Sequence, residues 1–360
     1  MNSEQLNRKQ INVGLIGYGM GGRVFHAPLI HHVEGLHLSM IRETRPENIK
    51  IANSRYPEAE IVAEASDVIH HRDIDLVVLA VPNKFHYALA KEALEAGKHV
   101  VVEKPFTVTS REAEELILLA QKYGKMLTVF HNRRWDSDFL TVKKVIQSEM
   151  VGRLVAYESH YDRFRNTLRP NSWKEEGSLG TGLLYDLGSH IIDQAQVLFG
   201  LPEAVTGFTA AQRDNSSIVD SFEIILHYPN LQVTLKSGML VKEPLPKYIV
   251  SGTEGSFVKY GLDVQEEALN KGELSLADET WGLELDKNWG TLNTGYKGLN
   301  LRGTVESERG NYAAFYENVC AVIRDEEPLQ VTAEQAKNTI RIIELAMQSS
   351  EEQRTMIFRI

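Results

Sequence analysis

The chain has 360 residues, of which 42% are apolar and 24% charged, a composition typical of a soluble globular protein large enough for two domains. Its formal net charge of −10 argues against a general attraction to nucleic acid or to an anionic membrane, and no run of about 18 apolar residues predicts a membrane span. The first ten residues are polar and unlike a secretory signal, and Cys320 is the single cysteine, so we expect no internal disulfide and a cytoplasmic location.

The first third of the chain alternates strand-like and helical segments. The strand-like segments are residues 11–17, 36–41, 60–62, 75–82, 99–105 and 126–130. The clearest helical patterns between them are residues 84–98 and 110–125, each with a glycine stop, and the second opens like a capping box. This alternation predicts a parallel sheet with helices on both faces, and six strands suit a doubly wound dinucleotide-binding (Rossmann) fold.

After about Trp135 the pattern changes to a helix over 138–150 and then to longer β-rich segments. These segments are residues 154–164, 204–212, 220–228, 231–240 and 247–252, connected by turns rather than helices. Two late helical patterns lie around 311–325 and 332–350. We therefore predict an α/β chain with a Rossmann domain over residues 1–134 and an α+β domain with a large, mostly antiparallel sheet over residues 135–360.

A glycine-rich loop follows the first predicted strand. Gly17, Gly19 and Gly22 fit the pattern G-x-G-x-x-G, with Met20 inside the loop, and a helical pattern begins at Gly22. Such glycines permit a tight turn, close approach of the backbone to a pyrophosphate and close packing of helix on strand. The free N–H groups of the helix N-terminus then bind the anion. The alternative, a simple strand–helix turn, does not require this spacing.

The end of the second predicted strand carries the residues expected to contact the adenosine ribose. Arg42, Glu43, Thr44 and Arg45 stand there. Glu43 could accept the 2′-hydroxyl of NAD, whereas Thr44 and Arg45 could bind the 2′-phosphate of NADP. Two arginines around a hydroxyl residue favour NADP, with NAD as the alternative.

Two charged residues, Glu103 and Lys104, end the fifth predicted strand just before Pro105. The carboxyl ends of parallel strands share one edge of the sheet, where ligands bind, so this pair is expected beside the nicotinamide. Lys104 would hydrogen-bond a substrate oxygen, and Glu103 would hold the lysine or the nicotinamide ribose. Pro105 would fix the turn, and a cis bond is accessible before proline. Further cofactor contacts are expected from the residues after the fourth strand: Pro82, Asn83 and His86.

The longer motifs resemble the Gfo/Idh/MocA family of sugar and polyol dehydrogenases. They are "GYGMGG" at 17–22, "AGKHVVVEKPF" at 96–106, "HNRRWDSDFL" at 131–140 and "YDLGSHIIDQ" at 185–194, and they follow the family's order over nearly the whole chain. The signatures most resemble the branch that contains NADP-dependent scyllo-inositol dehydrogenase. The resemblance implies a second domain that binds substrate and assembles a homodimer or homotetramer.

The resemblance also assigns Asp186 and His190, together with Lys104, to the hydride-transfer site. The two side chains stand four residues apart, which places them on one face of a helix. Oxidation of a secondary alcohol requires removal of the hydroxyl proton, and a histidine suits that step near neutral pH. His190 is therefore the expected acid/base and Asp186 its partner, with Asp193 as an alternative carboxylate. No further histidine or cysteine at suitable spacing supports a metal site.

Substrate contacts are expected from residues near the predicted cleft, although each could instead pack between domains. They are Arg134, Trp135, Tyr161, Arg163 and Tyr185, with Arg165 on the same strand face as Arg163. The expected activity is hydride transfer between NAD(P) and a secondary alcohol of an inositol or related cyclic polyol or sugar. The alternatives are a dehydrogenase of another aldose or ketose and a non-catalytic NAD(P)-binding sensor.

Overall fold

The computed structural model of the protein describes residues 10–169, 175–272 and 275–359. The chain divides into two compact units. The first comprises the described residues up to Asn132 together with Glu266–Trp281 and Tyr312–Lys337. The second comprises Arg133–Gln265, Gly282–Asn311 and the described residues from Asn338 onward. The chain thus crosses between the units several times.

Within the described residues, the first unit contains a six-stranded parallel sheet, as predicted. Its strands are β1 (Ile11–Ile16), β2 (Leu36–Arg42), β3 (Glu60–Val62), β4 (Leu76–Leu79), β5 (His99–Val102) and β6 (Leu127–Val129). They lie in the order β3-β2-β1-β4-β5-β6, which is the doubly wound dinucleotide-binding arrangement. All four residues of β4 are buried, which explains the continuous apolar sequence of this central strand.

Helices follow most strands of this sheet. A π-helical turn, Gly21–His26, continues into α1 (Ala27–His32), and the others are α2 (Pro46–Arg55), α3 (Ala65–Ile69), α4 (His86–Glu95), α5 (Ser110–Tyr123) and α9 (Ala313–Ile323). Helix α5 begins with a capping box, in which Thr109 and Glu112 bond each other's backbone, and it ends at Gly124 in the left-handed conformation. These signals were readable in the sequence.

The second unit contains a nine-stranded sheet among the described residues. Its strands are β7 (Leu154–His160), β8 (Ala204–Ala210), β9 (Ser221–Tyr228), β10 (Leu231–Gly238), β11 (Tyr248–Gly252), β12 (Gly255–Lys259), β13 (Gly290–Tyr296), β14 (Leu299–Val305) and β15 (Met356–Ile357). The order is β14-β13-β12-β11-β7-β10-β9-β8-β15. Strands β7 and β10 pair in parallel, and the other described pairs are antiparallel, which confirms the predicted mostly antiparallel sheet.

Helices α6 (Ser137–Gln147) and α7 (Ser189–Phe199) belong to the second unit, and a π-helical turn, Leu184–Gly188, leads into α7. Two further helices, α8 (Gln265–Lys271) and α10 (Ala333–Glu352), have residues in both units. None of the helices in the described part of the chain is long and apolar enough to cross a membrane.

Candidate active site

The three glycines of the loop after β1 have different local environments. Gly17 has a φ of +102°, and a Cβ there would lie 2.4 Å from the carbonyl oxygen of Ala80 on the neighbouring strand connection. A Cβ on Gly22 would lie 2.0 Å from the carbonyl oxygen of Gly17, so this glycine lets the helix pack against the loop. Gly19 is open: the nearest atom to its Cβ would be Arg45 Nη2 at 3.5 Å. Met20 beside it is 58% exposed. The loop therefore fits a dinucleotide pyrophosphate at the beginning of the helix.

Glu43, at the end of β2, is buried and folded back on its own turn. Its Oε1 accepts hydrogen bonds from the backbone N–H groups of Thr44 (2.8 Å) and Arg45 (3.0 Å) and from Arg45 Nε (3.1 Å). Its Oε2 accepts from Arg45 Nη2 and Asn48 Nδ2, both at 2.7 Å. Asn48 also donates to the carbonyl oxygen of Tyr18, at 3.1 Å, which ties the turn to the glycine loop.

The charge state of Glu43 follows from these bonds. Burial alone would raise the pKa of Glu43, but the hydrogen bonds from Arg45, Asn48 and the backbone N–H groups lower it to about 2. The carboxylate thus holds five donors and has little capacity left for a ribose hydroxyl. Thr44 and Arg45 are exposed, with the Arg45 side chain 54% accessible. The residue expected to contact a 2′-hydroxyl is instead the support of the arginine expected to contact a 2′-phosphate.

The Glu103–Lys104 turn follows β5, as predicted, and the Lys104–Pro105 bond is cis. Glu103 Oε2 accepts a hydrogen bond from the backbone N–H of Lys104 at 2.9 Å, and Glu103 Oε1 lies 3.0 Å from Nε2 of the buried His26. Burial would raise the pKa of Glu103, but the bond from His26 and the charge of Lys104 lower it below its ordinary value. A Cβ on Gly21 would lie 3.2 Å from Glu103 Oε1, so the turn adjoins the glycine loop.

The segment after β4 contacts this turn through His86. Asn83 is buried at the start of a 3-10 turn, Asn83–Phe85, that follows Pro82. Both ring nitrogens of His86 lie within hydrogen-bond distance of backbone carbonyls, with Nδ1 2.9 Å from the Pro105 oxygen and Nε2 2.9 Å from the Val81 oxygen. Burial lowers the pKa of His86. His86 therefore supports the proline turn, a task that its position in the sequence did not indicate.

In the second unit, Asp186 and His190 lie where the π-helical turn continues into α7. Asp186 is half-buried, while Tyr185 and His190 are buried, and π-helical turns of this kind are frequent at functional sites. The glycine before them has a packing role: Gly182 has a φ of +89°, and its Cβ would lie 2.8 Å from the Val219 oxygen. The glycine-rich sequence at this point reflects that close backbone approach.

Arg134, predicted to contact substrate, is held by a carboxylate. Its Nε and Nη2 donate to the two oxygens of Asp193 at 2.8 and 2.7 Å, and both side chains are buried. Asp193, considered above as a partner for His190, is thus a bidentate partner of Arg134. Trp135 closes the same 3-10 turn, Asn132–Trp135, and its carbonyl oxygen accepts a bond from Gln265 Nε2 at 3.1 Å.

Tyr161, another predicted substrate contact, is buried among cations. Arg133, Arg163 and Lys247 lie 5.1, 5.6 and 5.3 Å from the centre of its ring. Lys247 donates to Asp138 Oδ2 at 2.5 Å, so part of this charge is neutralised within the unit. Burial and the neighbouring Arg169 and Arg163 lower the pKa of Arg165, which marks this segment as strongly basic. Arg133 and Lys247 were not among the residues that the sequence predicted to contact substrate.

A search of the described residues finds no group of three or more His, Cys, Asp or Glu side chains arranged to hold a metal ion. The first unit brings three features to one edge of its sheet. They are the glycine loop after β1, the exposed Arg45 after β2 and the Glu103–Lys104 turn after β5.

A sheet of this order with such a loop and turn defines an NAD(P)-dependent oxidoreductase. Residues 11–131 match the family model described as "Oxidoreductase family, NAD-binding Rossmann fold", and residues 143–358 match "Oxidoreductase family, C-terminal alpha/beta domain". The chain belongs to the Gfo/Idh/MocA family.

Relatives match over almost the whole chain. It is 42% identical over 347 residues to scyllo-inositol 2-dehydrogenase (NADP(+)) IolW of Bacillus subtilis, with 96% of each chain covered. It is 42% identical to the uncharacterized oxidoreductase YdgJ of Escherichia coli, over 96% of this chain and 98% of that one. The solved structure of YvaA from Bacillus subtilis superposes with a TM-score of 0.94 at 40% identity, covering 98% of this chain and 99% of that one.

Proposed function

We propose that the protein is an NADP-dependent dehydrogenase that transfers hydride between the nicotinamide and a secondary alcohol of an inositol or a related cyclic polyol. The observation that carries the chemistry is the Glu103–Lys104 turn, which adjoins the glycine loop through Gly21 and supports Lys104 as the group that supplies an ammonium beside the cofactor. The substrate class is supported by the relative that acts on scyllo-inositol.

In this proposal the bound nicotinamide supplies the hydride acceptor, and the residues of the chain manage the oxygen and its proton. Lys104 hydrogen-bonds the reacting oxygen and stabilises the negative charge that develops on it. His190 accepts the hydroxyl proton as the C–H bond breaks and returns it when the reaction runs towards the alcohol. Asp186 orients His190 or binds a neighbouring hydroxyl.

The proposed NADP preference rests on the different roles of Glu43, which holds Arg45, and of Arg45, which is exposed to bind a phosphate. An acceptor for a ribose 2′-hydroxyl needs free lone pairs, and Glu43 already accepts five hydrogen bonds. The exposed guanidinium of Arg45, fixed by Glu43 and flanked by the Thr44 hydroxyl, suits a phosphate.

Polar residues of the second unit are proposed to bind the ring hydroxyls of the substrate. They are Arg134, Trp135, Tyr161, Arg163 and Tyr185. The bidentate bond to Asp193 fixes the Arg134 guanidinium in one orientation, which suits recognition of a rigid ring. The homodimer or homotetramer expected from the resemblance stays a prediction.

The proposal is tested by initial rates of nicotinamide reduction with scyllo-inositol, myo-inositol and glucose, each with NADP and with NAD. We expect turnover of an inositol with NADP at a kcat/KM at least about tenfold above that with NAD, which corresponds to about 1.4 kcal/mol. A protein that binds NADPH but oxidises none of these substrates would contradict the proposal and favour the sensor. Faster turnover of glucose than of either inositol would move the substrate to the pyranose sugars.

A further inference from the structure

A buried series of hydrogen bonds connects α9 to the Glu103–Lys104 turn within the first unit. Tyr316 on α9 lies with its Oη 2.6 Å from His26 Nδ1, and His26 Nε2 lies 3.0 Å from Glu103 Oε1. Glu103 Oε2 in turn accepts from the backbone N–H of Lys104 at 2.9 Å. Tyr316 and His26 have no solvent exposure, and Tyr316 is 290 residues from His26 in the sequence.

The two end groups, Glu103 and Tyr316, determine which atoms donate and which accept along this series of hydrogen bonds. Glu103 is acceptor-only as a carboxylate, so His26 Nε2 must carry the hydrogen that it donates. Burial and the nearby charge of Glu103 raise the pKa of Tyr316 well above its ordinary value, so Tyr316 keeps its hydrogen. We therefore assign a hydrogen to His26 Nε2, which donates to Glu103, while Nδ1 bonds the Tyr316 hydroxyl.

The surroundings of His26 are aromatic, which makes a polar ring a costly choice for packing alone. Its ring centre lies 4.3 Å from that of Phe130, and Phe130 also contacts Phe315 and Tyr316. A phenylalanine or leucine would fill such a site without burying polar atoms that need partners. The polar atoms at this position reach a charged group, the carboxylate of Glu103.

We infer that His26 and Tyr316 are positioning residues of the hydride-transfer site, which hold the Glu103 carboxylate in one orientation and thereby fix the backbone from which the Lys104 side chain extends. This inference rests on the proposed function in that it takes Lys104 as the group that contacts the reacting oxygen. It goes beyond it by assigning a task to two residues that do not contact cofactor or substrate. The orientation of a carboxylate by an imidazole with a second partner follows the logic by which catalytic groups are held in one geometry.

The kinetic test compares Tyr316→Phe and His26→Leu with His26→Gln and with Tyr157→Phe. Tyr157 is a fully buried tyrosine of the second unit, so its variant controls for loss of a buried phenol hydroxyl. Loss of one hydrogen bond in a chain that ends on a charged group should lower kcat about tenfold, while the Kd for NADPH changes less than about threefold. His26→Gln, whose amide can donate to Glu103, should recover part of the rate lost in His26→Leu. Unchanged kcat in folded Tyr316→Phe, or equal losses in kcat for Tyr157→Phe, would overturn the inference.

A second measurement does not depend on turnover. In protein with ¹⁵N-labelled histidine, the His26 signals should show a hydrogen at Nε2, and they should shift in Tyr316→Phe and in Glu103→Gln but not in Tyr157→Phe. A His26 protonated at Nδ1 alone, or signals unaffected by Glu103→Gln, would refute the hydrogen-bond chain. If this spectrum is as expected but no polyol is turned over, the proposed function is wrong, while the hydrogen bonds from Tyr316 through His26 to Glu103 are confirmed. If a polyol is turned over and the spectrum disagrees, the inference alone fails.

Discussion

Replacement of Arg45 by alanine tests the preference for NADPH over NADH most directly. The guanidinium lies beside the glycine loop, where its Nη2 is the nearest atom to a Cβ on Gly19, and its Nε and Nη2 both bond Glu43. Glu43 already fixes the side chain, so little conformational entropy is lost when a phosphate binds. The arginine side chain is 54% exposed, however, so solvent screening places the contact at the lower end of charge-assisted hydrogen bonds.

We expect a loss of about 1.5 to 2 kcal/mol in NADPH affinity, or roughly 10- to 30-fold in Kd. The Kd for NADH should change less than about threefold, because NADH has no 2′-phosphate. Fluorescence titration of both reduced cofactors measures these constants directly.

Lys50→Ala is the matched control for this variant. Lys50 is an exposed cation on α2, the helix that begins just after Arg45, so its removal lowers the net charge equally without touching the turn. Equal losses for NADPH and NADH in Arg45→Ala, or the same NADPH loss in Lys50→Ala, would refute the reading of Arg45 as the 2′-phosphate contact.

The remaining predictions concern catalysis and stability. Lys104→Met should retain NADPH binding and lower kcat by about 100-fold or more; a near-normal rate would remove Lys104 from the reacting oxygen. His190→Ala should flatten the pH–rate profile near neutrality, and an unchanged profile would end its assignment as the acid/base. Asp193→Asn leaves the buried Arg134 without its charged partner and should lower the free energy of unfolding in urea by about 3 to 5 kcal/mol; a loss under about 1 kcal/mol would contradict a fully desolvated pair. Glu43 has a pKa of about 2 in the folded protein against an ordinary 4.5, so its stabilisation is present above pH 4.5 and is lost as the pH falls towards 2. The difference in Tm between wild type and Glu43→Gln should therefore be constant near neutral pH and should become smaller as the pH falls from 4.5 towards 2. A constant difference down to about pH 3 would contradict the lowered pKa of Glu43.

The sheet of the first unit could be predicted because its signals are local. Each buried strand is a short apolar run, and helix ends such as Thr109 and Gly124 carry capping residues that are legible in the sequence. Strands β12 to β15 were not predicted, and for β14 the structure gives a physical reason. In β14 six of the seven residues are exposed, so no alternation of buried and exposed side chains marks it as a strand.

The candidate site also has features that could be predicted from the sequence and features that could not. The glycine loop was predicted from its G-x-G-x-x-G motif, and the Glu103–Lys104 turn from its position at the end of a buried strand. The side-chain contacts that hold the site residues were not predicted, because some join distant parts of the chain and others, although local, depend on side-chain directions. Arg134 and Asp193 are 59 residues apart, and the five bonds that turn Glu43 into a support depend on side-chain directions that no sequence pattern encodes.

The most direct test of the central claim is the transfer of deuterium from scyllo-inositol, deuterated at its ring carbons, to NADP, with the reduced cofactor analysed by mass spectrometry. We predict one deuterium in the nicotinamide ring of the NADPH formed and a rate slowed relative to unlabelled inositol. Reduced cofactor without deuterium, or no reduction while NADPH binds normally, would contradict the account.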